Sequence, residues 1–340
     1  MIPNHTNYNT KGGTPMFNFK KKSNVSIELN DYVMRALVKN GPNTEQWTMH
    51  EIPLPNGIVR NASITDEMAL FKLLKENASI LGGKKQNVRM FVPDTSVLLK
   101  TFDHPIEFEG KKLKEYVQME LGQSIHLPFP EPLIDVYDPI LGDGLATLFA
   151  APPEEVQKFM GLLIDVHMQP EVADIRALSN LRLLVQMRKI SDHQTYLIAD
   201  WSINELSICI YSAGEVEFLR YQPIETDMSK WVANLDKTGD VTFSYNGDIQ
   251  DYQLLVTDQV LELERMMNFF KFTLHKGEKS VDEIIVMGDN PLLDNITSFL
   301  RENIQIKITV IDDVAIEHVY PQFKAKHASL IGLALKEVNA

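Results

Sequence analysis

Apolar runs separated by short polar turns mark two stretches of the chain. In residues 195–220 an apolar run ends at Asp200, a polar turn follows, and two further β-rich runs flank a glycine turn. Residues 25–38 repeat this order, with Glu28 near the end of the first run. Runs of this kind, bounded by polar and glycine turns, are typical of β-hairpins. Two acid-bearing hairpins about 170 residues apart predict a duplicated, two-lobed architecture.

The remaining pattern predicts alternating helices and strands. Apolar residues at helical spacing predict helices over 65–81, 110–125, 153–165, 177–189, 228–240, 258–274, 291–303 and 327–335. Further β-rich runs predict strands over 46–52, 86–92, 97–102, 133–137, 145–150, 172–175, 284–288 and 306–311. Thr65 or Ser63 is the expected N-cap of the first helix. The alternation predicts an α/β protein with mixed sheets.

Composition limits the possible functions. The 340 residues suffice for two domains or one bilobal unit, and 44% hydrophobic residues suffice for a folded core. A net charge of −13 argues against nucleic acid as the main partner, because neutralising phosphates requires clustered lysine and arginine. The sequence lacks an apolar run of about 18 residues, so no membrane span is predicted. The single cysteine, Cys209, lies in a predicted strand and is expected to be a buried structural thiol.

Residues 1–23 form a polar and basic segment. They lack the apolar core of a signal peptide, so the chain is expected in the cytoplasm. Two phenylalanines and three lysines within residues 16–22 would suit contact with an anionic membrane surface. A disordered tail is the preferred interpretation, because one such patch is a weak anchor.

The strand-end acids are the candidate positions for chemistry. Phosphate loops, dinucleotide fingerprints, nucleophile elbows and paired metal-binding histidines are missing from the sequence. A carboxylate beside a tight turn suits Mg²⁺-phosphate, because it orders the waters of the metal while turn N–H groups bind the anion. Asn30 and Ser202 stand in the turns where glycine would allow the closest approach. A plain polar turn at a strand end is an equal alternative at this point.

The two turns resemble those of PilM, the cytoplasmic actin-like family of type IV pilus assembly, which is related to FtsA. The first phosphate turn of the family usually reads GIDIGSSSVK, and residues 26–35 read SIELNDYVMR. Glu28, Asn30 and Arg35 therefore replace Asp, Gly and Lys. The second turn usually reads DIGA, and here Asp200 keeps the acid while Ser202 replaces the glycine.

Two other segments match the family more closely. ELGQSIHLPF at 120–129 resembles its E-x-x-Q-x-I-P-F-P helix end, and LIGLAL at 330–335 resembles its closing A-I-G-L-A-L helix. The adenosine-side GG turn of the family is reduced to GDN at 288–290. The similarity spans residues 25–335.

The resemblance implies an α/β, bilobal actin-like ATPase fold of the FtsA/PilM type with subdomains 1A, 1C, 2A and 2B. Residues 24–190 would form the first lobe, 1A, with subdomain 1C inserted at about 97–170. Residues 191–340 would form the second lobe, 2A, with subdomain 2B at about 225–283.

The ligand implied by the resemblance is Mg-ATP. The implied nucleotide-binding residues are Glu28, Asn30, Asp31, Arg35, Asp200, Ser202, Gly288, Asp289 and Asn290. Asp200 would hold the metal through the nucleotide. Each lost N–H to phosphate hydrogen bond is worth about 1.5–3 kcal/mol, so two altered turns would weaken binding on the order of a hundredfold or more. We interpret the site as degenerate, with Mg-ATP bound weakly or lost.

The partner implied by the resemblance is the short cytoplasmic tail of a PilN-like inner-membrane protein, bound between 1A and 1C. Extended peptides dock into such grooves by backbone pairing and side-chain pockets. The candidate contacts surround a proline turn and are Gln123, Ile125, Leu127, Pro128 and Phe129. The resemblance also implies association with a pilus motor ATPase and formation of a homo-oligomer. It further implies a position at the inner face of the cell membrane, where the membrane partner would hold the protein.

Three functions follow from the resemblance. The favoured one is a non-catalytic adaptor, because no residue is evident to orient an attacking water and Glu205 is interpreted as solvated. The second is an active ATPase whose lobes close on nucleotide. The third is an FtsA-like membrane-associated cytoskeletal protein, against which we count the end of the chain shortly after its last predicted core helix. The sequence does not distinguish whether the protein serves a type IV pilus, a competence pseudopilus or a secretion system.

Overall fold

The computed structural model describes residues 23–138 and 140–337, which form two sheet-based lobes. The predicted bilobal α/β architecture is confirmed. The tail predicted at residues 1–23 falls, except for its last residue, outside the described residues, so its disorder and its membrane contact stay predictions. Within the described residues, no helix has both the length and the apolar character needed to cross a bilayer.

The elements follow the chain in this order. The strands of the first half are β1 (Asn24–Leu29), β2 (Val33–Lys39), β3 (Trp47–Pro53), β4 (Val59–Arg60), β5 (Ser63–Ile64), β6 (Asn87–Phe91), β7 (Leu98–Asp103), β8 (Leu133–Tyr137), β9 (Leu145–Ala151) and β10 (Gln169–Asp174). Those of the second half are β11 (Thr195–Trp201), β12 (Glu205–Ser212), β13 (Glu215–Pro223), β14 (Trp231–Leu235), β15 (Val241–Tyr245), β16 (Glu283–Gly288) and β17 (Lys307–Val310). The α-helices are α1 (Glu67–Asn77), α2 (Lys111–Glu120), α3 (Glu154–Asp165), α4 (Arg176–Gln186), α5 (Ile249–Asn268), α6 (Leu293–Asn303), α7 (Asp313–Glu317) and α8 (Ala328–Ala334).

The sheet of the first lobe has the strand order β10-β6-β1-β2-β3. β1, β2 and β3 form an antiparallel meander, whereas β6 and β10 run parallel to β1. Because parallel strands end at the same edge, Glu28, Asp94 and the first residue of α4 come together there. Helices α1 and α3 cover one face of the sheet, and Leu70 and Phe159 lie in their shared core.

The second lobe repeats this topology. Its sheet has the order β13-β12-β11-β16-β17, with an antiparallel meander of β11, β12 and β13 and with β16 and β17 parallel to β11. The carboxyl ends of β11 and β16 carry Asp200 and Asp289. Helices α5 and α6 contribute Leu263 and Leu300 to its core. The paired hairpins of the sequence therefore predicted a repeat that is present in the fold.

Helices α4 and α8 form a middle layer between the two sheets. α8 packs on β1, β2 and β6, and α4 packs on β12 and on α8. The two helices cross closely at Gly332, where an added Cβ would lie 2.0 Å from the carbonyl oxygen of Ser179. The Ser179 hydroxyl donates to the carbonyl oxygen of Ser329 at 2.8 Å, and Arg182 donates to that of Gly332 at 2.8 Å. Both helices are thereby fixed beneath the facing sheet edges.

An insert of three antiparallel strands, in the order β7-β9-β8, extends from the first lobe. Helix α2 packs on it, and Phe102, Leu113 and Leu148 form a small separate core. The insert spans residues 98–151, which is shorter than the predicted 97–170. The difference has a physical reason, because Val156 and Phe159 of α3 are buried in the core of the first lobe and β10 pairs with β6.

The helix predicted over 228–240 is wrong. This segment is a hairpin of β14 and β15, which pairs Trp231 with Tyr245. The carboxylate of Asp236 accepts hydrogen bonds from the N–H groups of Thr238 at 2.7 Å and Asp240 at 2.9 Å. Such a side-chain-to-backbone turn competes with a helix and favours a hairpin.

Three helix boundaries also differ from the prediction. Helix α1 is capped by Asp66, whose carboxylate accepts the N–H of Ala69 at 2.9 Å, and not by Thr65 or Ser63. Helix α2 ends at Glu120, because the chain then turns through Gly122 at φ +78°. Helix α5 begins nine residues earlier than predicted and widens after Asn268 into a π-helical turn.

Gly332→Ala is expected to destabilise the protein, because the methyl group would overlap the backbone of Ser179 and force α4 and α8 apart. Overpacking of this kind costs about 1–3 kcal/mol of unfolding free energy. Gly161→Ala in α3 is the matched control, since an added Cβ there meets nothing within 4 Å. It should be neutral or stabilise by up to about 1 kcal/mol. Denaturant unfolding measures both, and equal effects would contradict the close crossing.

Candidate functional site

The facing carboxyl edges of the two sheets enclose a narrow crevice above α8. It contains about 230 Å³ of empty space. Seven of the predicted nucleotide-binding residues line it, namely Glu28, Asn30, Arg35, Asp200, Ser202, Gly288 and Asp289. Asn290 follows directly in the chain, and Asp31 lines a neighbouring cavity of about 630 Å³. The structure therefore brings the predicted residues together, whereas their binding of nucleotide stays a prediction.

Arg35 occupies one side of this crevice and is 2% exposed. The strand register places it opposite Glu28 on β1 and opposite Glu51 on β3. Its guanidinium lies 2.8 Å from Glu51 and 3.4 Å from Glu28. Its Nη2 reaches across to the second lobe and lies 2.7 Å from the carboxylate of Asp289. Burial opposes the charge of Arg35, but these carboxylates outweigh burial and raise its pKa.

Arg176, the first residue of α4, occupies the other side of the crevice. Its Nη1 lies 2.8 Å from Glu28, its Nε lies 3.0 Å from Asp94, and its Nη2 lies 3.4 Å from Glu205 of the second lobe. Nη2 also donates to Asn30 Oδ1 at 3.0 Å. Glu28 thus lies between two guanidinium groups, and burial raises its pKa against their opposing effect.

Further polar contacts join the lobes around these arginines. The Tyr32 hydroxyl donates to Asp289 at 2.7 Å, and Asn204 donates to Asp31 at 2.9 Å. The Ser207 hydroxyl donates to Asp94 at 2.8 Å. The cleft between the lobes is therefore closed by a continuous set of charged and polar contacts.

The hairpin of β14 and β15 also reaches from the second lobe to the first. The N–H of Val241 donates to Glu51 at 2.8 Å, and the Phe243 ring lies edge-on to Tyr32 with centroids 4.9 Å apart. Lys326 bridges Glu51 and Asp240 at 2.7 and 2.8 Å. This hairpin covers the side of the cleft next to Arg35.

Asp200, the predicted metal ligand, is buried within the second turn. Its carboxylate accepts a hydrogen bond from Asn180 at 2.6 Å and a longer one from Ser329 at 3.4 Å. Burial raises its pKa, and Arg176 and Asn180 partly oppose that effect. Among the described residues, no group of three or more His, Cys, Asp or Glu side chains is arranged to hold a metal ion.

The two turns do not need glycine at Asn30 or Ser202. Neither residue adopts a positive φ. The N–H of Asn30 donates to the carbonyl oxygen of Val33, and that of Ser202 donates to the carbonyl oxygen of Glu205, both at 2.9 Å. These N–H groups close the turns of their own hairpins.

Glycine is required at position 288, because the chain there passes very close to the backbone of Trp201. The φ of Gly288 is +120°, and an added Cβ would lie 2.1 Å from the carbonyl oxygen of Trp201. The N–H groups of Asp289 and Asn290 donate to that same oxygen at 2.9 and 3.0 Å. The glycine therefore lets the chain fold over the end of β11 and deliver the Asp289 carboxylate to Arg35.

Acidic groups outnumber basic groups at the crevice. Six carboxyl groups that are at most 10% exposed face four basic groups. The acids are Glu28, Glu51, Asp94, Asp200, Glu205 and Asp289, and the bases are Arg35, Arg176, Lys326 and His327. Burial raises the pKa of Glu205 to about 8, with Arg176 only partly opposing it. Arg176 opposes burial only weakly at Glu205, because its Nη2 lies 3.4 Å from that carboxyl group and its contacts with Glu28 and Asp94 are closer.

Several residues of the site were missed by the sequence prediction. Arg176, Asp94 and Asn180 were not proposed, because nothing local in the sequence relates them to the two acid turns. Glu205 was interpreted as solvated, which is wrong, because it begins β12 on the inner side of the cleft and is 8% exposed.

The predicted partner-binding residues lie in the loop between α2 and β8. Ile125 is buried in the core of the insert, and Leu127 and Phe129 pack partly against that core. Gln123 and Pro128 are exposed. The first three residues therefore stabilise the insert, and the role of this loop in partner binding stays a prediction.

Comparison with known proteins identifies this architecture. The fold is similar to the solved PilM-PilN type IV pilus biogenesis complex, with 17% identity and a TM-score of 0.69 over 92% of this chain and 97% of that one. It is also similar to a Bacteroides thetaiotaomicron protein of unknown function with an actin-like ATPase fold, with 10% identity and a TM-score of 0.51 over 96% of this chain and 100% of that one. The fold is the bilobal actin-like ATPase fold that the sequence predicted.

Sequence comparison agrees with the fold. No curated protein sequence matches the chain significantly. The family of the type IV pilus assembly protein PilM matches residues 37–337, which include the residues of the insert, the middle layer and the second lobe. The chain therefore belongs to the PilM family of type IV pilus assembly proteins.

Proposed function

We propose that this protein is a non-catalytic adaptor of type IV pilus assembly. It binds the cytoplasmic tail of a PilN-like membrane protein and works at the inner face of the membrane, where it links that complex to the pilus motor ATPase. The proposal is carried by one observation, the occupation of the inter-lobe crevice by the paired side chains of Arg35 and Arg176. The actin-like framework then serves as a rigid scaffold.

The crevice does not fit Mg-ATP. A triphosphate is a concentrated anion, and the site offers a surplus of buried carboxyl groups in place of free cationic donors. Both guanidinium groups already have carboxylate partners. The N–H groups of Asn30 and Ser202 are engaged within their own turns.

The closed cleft also disfavours nucleotide-driven lobe movement. Opening it would separate Asp289 from both Arg35 and Tyr32, and water would have to replace these contacts. A ligand that keeps the lobes apart would have to supply the free energy that these contacts contribute.

The insert offers an edge for an extended peptide. β8 pairs with β9 on one side, and in the described part of the chain no strand pairs with its other side. The loop of Pro128 leads directly into β8. A peptide tail can add to such an edge by backbone hydrogen bonds. The solved relative is a complex of PilM with PilN, which makes a PilN-like tail the natural occupant.

Titration calorimetry with Mg-ATP and Mg-ADP tests the adaptor proposal. We expect no binding up to millimolar nucleotide, because the phosphate positions are taken by paired side chains. Asp200→Ala, verified as folded by thermal unfolding, is the control. Micromolar binding by the natural protein that disappears in Asp200→Ala would replace the adaptor with an active ATPase.

Glu205→Gln is expected to stabilise the protein, and more at pH 8 than at pH 5. Folded Glu205 keeps its proton up to about pH 8, whereas its ordinary pKa is 4.5. The folded state therefore binds more protons between these values, and the contribution of Glu205 to stability falls as the pH rises. Glutamine cannot ionise, so the Glu205→Gln variant does not lose stability in this way as the pH rises.

Denaturant unfolding at the two pH values measures the Glu205→Gln effect. Glu264→Gln, on the exposed side of α5, is the control and should change little at either pH. If Glu205→Gln changes the free energy of unfolding equally at pH 5 and pH 8, Glu205 is ionised in the cleft and this prediction is wrong.

Glu131→Lys is expected to weaken binding of a synthetic PilN-like tail peptide by about fivefold or more. Cytoplasmic segments next to a membrane span carry excess lysine and arginine, so the change replaces an attraction near Pro128 with a repulsion of about 1 kcal/mol. Fluorescence anisotropy of the labelled peptide measures the affinity. Glu264→Lys makes the same charge change on an exposed site of the second lobe. Equal losses in both variants would place the tail elsewhere.

A further inference from the structure

The end of helix α5 carries a cluster of exposed aromatic, aliphatic and cationic side chains, which we call the aromatic turn. It consists of Phe269, Lys271, Phe272, Leu274 and Lys276. The exposed fractions of Phe269, Phe272 and Leu274 are 41%, 61% and 44%. Single exposed apolar side chains are common on proteins, but three within six residues need an explanation.

The exposure of Leu274 follows from a change in helix type. After Asn268 the helix continues as a π-helical turn over Phe269–Leu274. In an α-helix, Phe270 and Leu274 would share one face, because residues four apart are neighbours. In the wider π turn, Phe270 remains fully buried in the core of the second lobe while Leu274 is largely exposed. π turns of this kind occur frequently at functional sites.

The charges around the aromatic turn differ in sign from those of the whole chain. The chain has a net charge of −13, whereas residues 268–279 and Glu217, which contacts His275 and Lys279, together contain three lysines and two glutamates, a net charge of +1. Lys279 is paired with Glu217. Lys271 and Lys276 form no ion pair with any described residue, and the ammonium of Lys271 lies 5.1 Å from the centre of the Phe272 ring. Two cations beside exposed phenylalanines are thus available to an external anion.

We propose that the aromatic turn binds the surface of a membrane that contains anionic lipids. Aromatic and aliphatic side chains partition into the boundary between headgroups and acyl chains, and neighbouring lysines attract anionic headgroups. The negative charge elsewhere on the protein does not prevent this, because charges further away than about 8 Å are largely screened at physiological ionic strength. A protein partner of the same chemistry is less favoured, since aromatic residues with free lysines match lipid headgroups more closely than they match an interface depleted of lysine.

This membrane contact goes beyond the adaptor function and does not depend on it. Two lysines and three apolar side chains form a weak anchor on their own. When the tail of a membrane protein is bound at the same time, the two contacts become intramolecular and their effects multiply. The aromatic turn would then fix the orientation of the protein on the membrane.

Vesicle co-flotation of the 340-residue chain tests the proposal without any protein partner. The probes are phosphatidylcholine vesicles with and without phosphatidylglycerol, each at low and high salt. We expect flotation only with phosphatidylglycerol and release by high salt. Phe272→Ser should lower the partition coefficient about tenfold, and Lys271→Ser should lower it about fivefold.

Leu254→Ser is the matched control, because Leu254 is 66% exposed on α5 but has Asp251 and Asp258 on the same face. It should float like the natural protein. Joint replacement of Lys20, Lys21 and Lys22 by Ser tests whether the N-terminal segment, and not the aromatic turn, binds the vesicles. We expect this variant still to float. Thermal unfolding verifies that each variant is folded.

The proposal is overturned if the natural protein ignores anionic vesicles. It is also overturned if Phe272→Ser and Leu254→Ser lose binding equally, or if the variant at residues 20–22 alone abolishes flotation. Because the vesicles contain no PilN-like protein, each of these results is independent of whether the adaptor function is correct.

Discussion

Neutralising two buried guanidinium groups is the constraint on which the arrangement of the lobes depends. Removing a charge from water costs several kcal/mol unless partners with good geometry replace the water. Arg35 finds such partners in Glu28 and Glu51 of its own sheet and in Asp289 of the other lobe. Arg176 finds its close partners in Glu28 and Asp94 of the first lobe, and Glu205 of the second lobe lies 3.4 Å from it. Arg35 therefore needs both lobes in their present positions.

The balance of charge also differs between the cleft that separates the lobes and the surface at the end of α5. Inside the cleft, buried carboxyl groups outnumber the basic groups, which makes the cleft an unfavourable environment for an anion. At the end of α5 the free lysines reverse the local sign and make the surface suitable for anions. A two-lobed body of this kind can present its insert and its aromatic turn in a fixed geometry, as the proposed adaptor function requires.

The sequence predicted the architecture better than the site. The two hairpins, each with an acid near its strand end, led to the repeated topology because the pattern is local and occurs twice. The adjacent positions of Glu28, Arg35 and Glu51 could be predicted from the sequence, since they follow from the register of neighbouring strands. The contacts of Arg176 and Asp289 could not be predicted, because they join residues far apart in the chain. The mistaken helix at 228–240 arose where the side chain of Asp236 decides the backbone conformation.

The sharing of Glu28 by two arginines has an evolutionary consequence. A substitution that removes Asp289, Glu28 or either arginine leaves its partners charged and buried, so each single step towards an open cleft lowers stability before any ligand can compensate. On the adaptor proposal, recovering a nucleotide site would therefore require several coordinated replacements. The buried acids of the cleft would then be retained through descent because their neighbours need them as partners, without selection for ligand binding.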